Sequence, residues 1–285
     1  MSEFTLVPAD TLAAADLHAA FAGAFADYIT GPFTLELSEW PGLVARHAID
    51  LAESRVAVQD GQVVAFAHTA PRRIGRRWRL AALGALPAAR GGGAAKALLD
   101  DFIARAAQAA QVAVELECFV QNDRALALYR RRKFVARHEL VGWTLPAEGA
   151  APEAVRGGAP RELDRAEAFA WLDAAERRIS DLPLQVCAQG LAAVARPLRF
   201  LQRGTALLAW SDTGDGPIQV HALVDGGVAQ ADAQTLIAAM RASRPEAGVT
   251  MPPLHRLDLC GAALERAGFA RQPRHQVLMV RDGQA

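Results

Sequence analysis

Along the first 145 positions the apolar residues recur with two different periods. Phe4-Thr-Leu-Val7 is a short strand, and Leu12, Leu17, Phe21 and Phe25 then follow at helical spacing behind Asp10 and Thr11 as candidate caps. A second helix is predicted over 37–49, with Pro41 near its first turn, where proline is tolerated. Strands over 55–58 and 62–68 flank Asp60-Gly61, a hairpin signal, and a third strand covers Trp78 to Leu86. A helix over 94–110, a strand over 112–119, a helix over 123–132 and a strand over 135–145 complete the order βααβββαβαβ, a mixed α/β layout.

The texture breaks at Pro146-Ala-Glu-Gly-Ala-Ala-Pro152 through Gly157-Gly-Ala-Pro160, which reads as a linker. The predicted division is therefore 1–146, a linker over 147–160, and a second domain over 161–285. Composition adds exclusions. With 31 basic and 31 acidic residues and a pI near 7.1, the chain lacks the basic footprint of a nucleic-acid binder. Cys118, Cys187 and Cys260 are too scattered for a disulfide framework or a zinc site, so no metal is expected. Neither a signal peptide nor a run long enough to cross a membrane is visible, which predicts a cytoplasmic protein without a membrane partner.

The candidate chemistry lies in Pro87-Ala-Ala-Arg90-Gly91-Gly92-Gly93-Ala94-Ala95-Lys96, between a strand and a helix. Glycines let a backbone approach a ligand, and the unpaired amides at a helix start attract an anion such as a diphosphate. A phosphate loop ending in Gly-Lys-Ser/Thr is absent. A dinucleotide fingerprint fits poorly: Lys96 sits where a small residue is needed, four residues separate strand from glycines, and some 80 residues precede the motif.

Pro87-x-x-Arg90-Gly91-x-Gly93-x-Ala95 resembles the acetyl-CoA loop of the GNAT superfamily of N-acetyltransferases, Arg/Gln-x-x-Gly-x-Gly/Ala. Asn122-x-x-Ala125-x-x-Leu128-Tyr129-x-x-x-Lys133-Phe134 is similar to that superfamily's second signature, with Lys133 in place of glycine. The resemblance implies an N-acetyltransferase that uses acetyl-CoA as co-substrate and no metal. It implies that the amides of Gly91, Gly92, Gly93, Ala94, Ala95 and Lys96, with Arg90, hold the diphosphate. Leu83, Gly84 and Ala85 would pair with the pantetheine, Asn122 would bind it, and Tyr129 would protonate the leaving thiolate. No carboxylate lies on the strand before Pro87, where many members keep a base; Glu115, Glu117, His68, an ordered water or a neutral amine are the open substitutes. Arg130, Arg131 and Arg132 are candidates for the 3′-phosphate or a solvated helix end, and the Arg72–Arg77 loop for steering an anion or for a solvated hairpin.

Leu264-Glu-Arg-Ala-Gly268-Phe269 aligns with Tyr129-Arg-Arg-Arg-Lys133-Phe134 at an offset of 135, behind a strand over 217–224 and a helix over 232–240 with Asp232 as a possible cap. This predicts two GNAT-like domains in tandem, the second degenerate: Leu264 and Leu257 stand where Tyr129 and Asn122 do, and Asp225 and Asp232 would repel a diphosphate. The expected partner is a small-molecule or peptide amine, and Asp27, Tyr28, Glu36, Glu39 and Trp40 are candidates to hold a cationic one. A monomer with an internal pseudo-dimer and a homodimer both fit, and a non-catalytic acyl-CoA sensor is the alternative function.

Overall fold

Asp60 and Gly61 adopt left-handed backbone angles, φ 51° and 75°, and so form the tight reversal that their sequence demands. The turn joins β2 (Asp50–Gln59) to β3 (Gln62–Pro71), the longest hairpin of the N-terminal half. The computed structural model describes residues 3–147 and 158–283. Within them the chain divides into two units, one of residues up to Val135 together with those from Met279 onward, the other of Ala136–Leu278. Most of the linker predicted over 147–160 lies outside the described residues.

The first unit begins with β1 (Thr5–Pro8) and α1 (Ala14–Ala24), whose Leu17, Ala20, Phe21 and Ala24 are buried at helical spacing. The cap differs from expectation. Asp10 and Thr11 lie in a 3₁₀ turn, where the Thr11 hydroxyl donates to the Pro8 carbonyl, and Ala13 precedes α1. The helix α2 is also shorter than predicted, Trp40–Arg46, because Glu36 and Glu39 form a capping box around a 3₁₀ turn just before it. After β4 (Arg77–Ala85) come α3 (Ala94–Gln108), β5 (Ala113–Phe119) and α4 (Asp123–Arg130). The sheet runs β1-β2-β3-β4-β5, antiparallel except for the parallel pair β4–β5, so the architecture is mixed α/β with a mixed sheet.

The strand that follows α4, β6 (Val135–Leu145), is not a hydrogen-bonded neighbour of β5. It pairs antiparallel within the second unit and buries Val141, Trp143 and Leu145 in that unit's core. The second unit continues with β7 (Arg161–Glu162), α5 (Arg165–Arg178), α6 (Ala188–Leu191), β8 (Arg199–Arg203), β9 (Ala206–Ser211) and β10 (Ile218–Asp225). Then come α7 (Ala231–Ala242), β11 (Val249–Arg256), α8 (Leu257–Arg266), β12 (Ala270–Arg271) and β13 (Gln276–Asp282). The same order of strands and helices is thus traversed twice, and β10–β11 is the parallel pair corresponding to β4–β5. The end of β13 lies beside β5, in the first unit, where Met279 and Val280 are buried. Division by contacts therefore differs by one strand at each end from a cut at residue 146.

The ends of α4 and α8 are closed in the same way. Phe134 N–H donates to the Tyr129 carbonyl and Lys133 N–H to that of Arg130; Phe269 and Gly268 repeat both bonds on Leu264 and Glu265. The pivot is left-handed in each, φ 64° at Lys133 and 80° at Gly268. The turn is kept without its glycine, so Lys133 carries the cost of a Cβ in that region. Lys133→Gly is expected to stabilise the protein by about 1 kcal/mol, read as a higher denaturant midpoint at constant slope.

Candidate active site

β4 and β5 pair only at their starts, Arg77 with Ala113, Trp78 with Val114 and Arg79 with Glu115. Ion pairs hold the root of this fork. Arg79 binds Glu117 at 2.8 and 3.0 Å, both side chains buried, and Glu115 receives Arg72 at 2.5 Å and Arg77 at 3.4 Å. Glu115 and Glu117 are thus committed to guanidinium groups and are corrected as candidate bases, and Arg72 and Arg77 are corrected as anion-steering groups. His68 is corrected too. It is fully buried against Phe66 and Trp40, its ring nitrogens have no hydrogen-bond partner among the described residues, and desolvation lowers its pKa to about 4.

Beyond the fork the strands part, and Leu83, Gly84 and Ala85 line a cleft of about 650 Å³. On the opposite edge those three residues pair with β3, so only the edge towards β5 has backbone groups to offer. Gly84 is required for packing: a Cβ there would lie 2.5 Å from Phe66 Cζ and 3.0 Å from Ala24 Cβ. Gly91 and Gly93 serve a different purpose. They hold φ of 86° and 94°, and a Cβ on either would meet nothing within 4 Å. Gly93 is the N-cap of α3 and brings no capping side chain, so the first amides of a 15-residue helix open towards the cleft.

Of the residues expected in the site, Leu83, Gly84, Ala85, Arg90, Gly91, Gly93, Ala95, Lys96, Asn122 and Tyr129 line this one cleft. Gly92 and Ala94 do not: Gly92 is exposed and donates its N–H to the Ala89 carbonyl at 3.2 Å, and Ala94 is buried. The Arg90 side chain faces away from the glycine loop. Its guanidinium donates to both Asp27 oxygens at 2.5 and 2.6 Å, to the Ala24 carbonyl at 3.1 Å and to the Ala85 carbonyl at 3.4 Å. It ties the end of α1 to the end of β4, and its hydrogen bond holds the Asp27 carboxyl below the usual range. Arg132 is likewise occupied, by Asp100 at 2.6 and 3.0 Å, which leaves Arg131 as the member of its triplet in the cleft. Arg124 joins it there. The spacing of Arg124, Leu128 and Arg131 on one face of α4 was the signal for it.

Asn122 caps α4, accepting from Ala125 N–H at 3.2 Å, and its side chain also meets the Tyr28 hydroxyl. Tyr129 follows two turns later on the same face and is buried edge-on to Phe134. Burial raises the pKa of Tyr129 and Tyr28 and pushes the Cys118 thiol up to about 12. Groups of this kind stay protonated here at neutral pH. The other acceptor candidates do not converge: Trp40 is in the core, and Glu36 and Glu39 cap a turn.

The matching region of the second unit is filled by its own side chains. The buried Asp225 carboxylate accepts from Gly227 N–H at 2.7 Å, Ala233 N–H at 3.0 Å and the Thr205 hydroxyl at 2.8 Å, occupying the amides at the start of α7. Gln230 donates to the Asp258 carbonyl and accepts from Ala263 N–H, bridging α7 to α8. Asp232 is not a cap; it receives Thr205 N–H and pairs with Arg203.

Residues 19–134 match the model of the acetyltransferase (GNAT) family, ending one residue short of the boundary of the first unit. A search of the curated proteins found no match. Among solved structures, the chain is similar to a GCN5-related N-acetyltransferase from Kribbella flavida, with 17% identity over 99% of this chain and 71% of that one and a TM-score of 0.66. It is similar to one from Sphaerobacter thermophilus (16% identity, 98% and 95% covered, TM-score 0.62) and to Eis1 from Mycobacterium abscessus (15% identity, 99% and 73% covered, TM-score 0.59). These likenesses establish the fold. Among the described residues no helix is long and apolar enough to cross a membrane, and no group of three or more His, Cys, Asp or Glu is placed to hold a metal ion.

Proposed function

We propose that the GNAT domain of residues 19–134 makes this chain an acetyl-CoA-dependent N-acetyltransferase that moves the acetyl group to a primary amine by direct attack in a ternary complex. The observation that carries the reading is the convergence, in one cleft, of an unpaired strand edge, a glycine-capped helix start and a buried phenol. The cleft fits the co-substrate part by part. The amides of Gly91, Gly93, Ala95 and Lys96 meet the diphosphate, and Lys96, Arg124 and Arg131 supply further positive charge for phosphate. The free edge of Leu83–Ala85 pairs with the amides of the pantetheine arm as an added strand, and a backbone N–H there holds the thioester oxygen as charge develops. Asn122 neighbours that arm, and Tyr129 donates a proton to the departing thiolate. A thiolate is ordinarily a weaker base than a phenolate, but desolvation raises both, as the Cys118 thiol illustrates.

The raised pKa of Tyr129 has a sign that can be checked. Its acid form, which the step requires, stays populated as the pH climbs through its ordinary value of about 10. With a saturating amine, kcat is expected to hold without an alkaline decline up to about pH 10; a fall centred near pH 8 would point to a different acid. The reaction itself is tested by thiol release from acetyl-CoA across a panel of primary amines and peptides. Tight binding of acetyl-CoA with no release for any of them would favour a sensor, a role consistent with Glu115 and Glu117 being ion-paired and His68 sealed in the core.

A further inference from the structure

The lining of the cleft divides by chemistry according to which segment supplies it. The glycine loop and the two helices beside it contribute cations, Lys96, Arg124 and Arg131, none of which forms an ion pair among the described residues. The end of α1 and the loop after it contribute Phe25, Tyr28 and Ile29. That apolar wall is built rather than incidental. Phe25 packs on Phe21 at 4.7 Å between ring centres and on Tyr28 at 4.9 Å, and the backbone of the loop is closed on itself by Tyr28, Gly31 and Phe33 N–H bonds.

The acidic groups of this region are all engaged. Asp27 is the one carboxylate in the lining, and Arg90 grips both its oxygens, while Glu36 and Glu39 cap their turn away from the cleft. A second positive charge on an acceptor would therefore find no counter-ion there, and would face a cleft whose free charges are cationic. The phosphates of the acyl donor satisfy those cations; they do nothing for an amine at the aromatic wall.

Resting on the transferase reading above, we infer that the acceptor is a primary amine with an aromatic or branched apolar body and no second cationic group, seated against Phe25, Tyr28 and Ile29. This class also accounts for the absence of an uncommitted base in the cleft. Desolvation against an apolar wall lowers the pKa of an ammonium, so a monoamine sheds its proton on entry, whereas a polyamine must strip a second charge that nothing replaces.

The test is steady-state kinetics with acetyl-CoA and three acceptors: phenethylamine, spermidine and kanamycin. Phenethylamine is expected to have a kcat/KM at least about tenfold above the two polycations, the range that one apolar pocket discriminates. In Ile29→Asp the preference for phenethylamine over spermidine is expected to narrow by about tenfold, while KM for acetyl-CoA changes by less than about twofold. Spermidine or kanamycin equalling or exceeding phenethylamine in the unmodified protein would overturn the inference and leave the transferase reading intact. No thiol release with any of the three or with a wider amine panel would remove both. The comparison on the unmodified protein decides the matter even if Ile29→Asp fails to fold.

Discussion

Replacing Gly93 by glutamate is expected to abolish acetyl-CoA binding, with Kd rising by more than about a hundredfold, equivalent to roughly 2.7 kcal/mol or more. Gly93 caps α3 with φ 94°, and the space beside it is open to at least 4 Å. A carboxylate placed there occupies the position reserved for a diphosphate and meets the same outward amides, much as Asp225 does at the start of α7. The variant is expected to fold, because no neighbour has to move for its Cβ and the left-handed angle costs a side chain only about 1–2 kcal/mol. Titration calorimetry reads the affinity, and the unfolding transition checks the fold. Wild-type affinity in a folded Gly93→Glu protein would take the diphosphate away from this loop. Gly93→Ala separates the two contributions, since it keeps the strain and drops the charge.

Removing one oxygen atom should have the second large effect. Tyr129→Phe is expected to lower kcat by at least about tenfold while acetyl-CoA affinity stays within about twofold, because positioned acid catalysis is ordinarily worth on the order of a hundredfold or more. Tyr129 is buried in the wall of the cleft and packs edge-on to Phe134, and phenylalanine preserves that shape. Single-turnover measurements isolate the chemical step from release of product. An unchanged rate in the chemical step would transfer the proton donation to Tyr28, the other phenol in the cleft, and Tyr28→Phe would then show the loss.

The fold was legible where its cause is local. The Asp60-Gly61 reversal, the strands around it and the glycine run before α3 follow from what those residues permit at their own positions, and each stands within a few residues of where the sequence predicts it. The second traversal of the same elements could be detected because Leu264–Phe269 and Tyr129–Phe134 build the same helix end. What escaped was set by partners distant in the chain. Glu115 is claimed by Arg72, 43 positions earlier, and Arg90 by Asp27, 63 positions away, so neither side chain reveals from its neighbours whether it is free. Two misplaced caps, Asp10 and Asp232, have the same origin: each is a good capping residue locally, and a competing geometry decided otherwise. The affiliation of β6 was hidden for a further reason. A strand's period shows that one face is buried but not against which sheet, so Val135–Leu145 reads identically whichever unit receives it.

That last feature bears on where the chain can be divided. The residues from Met279 onward belong to the N-terminal unit, which is thus finished by sequence encoded beyond Ala136–Leu278, whereas the C-terminal unit is one continuous stretch that begins inside β6. A break at residue 146 would leave the N-terminal unit without its last strand segment and the C-terminal unit without β6. A gene divided there is therefore expected to give two truncated units rather than two whole ones.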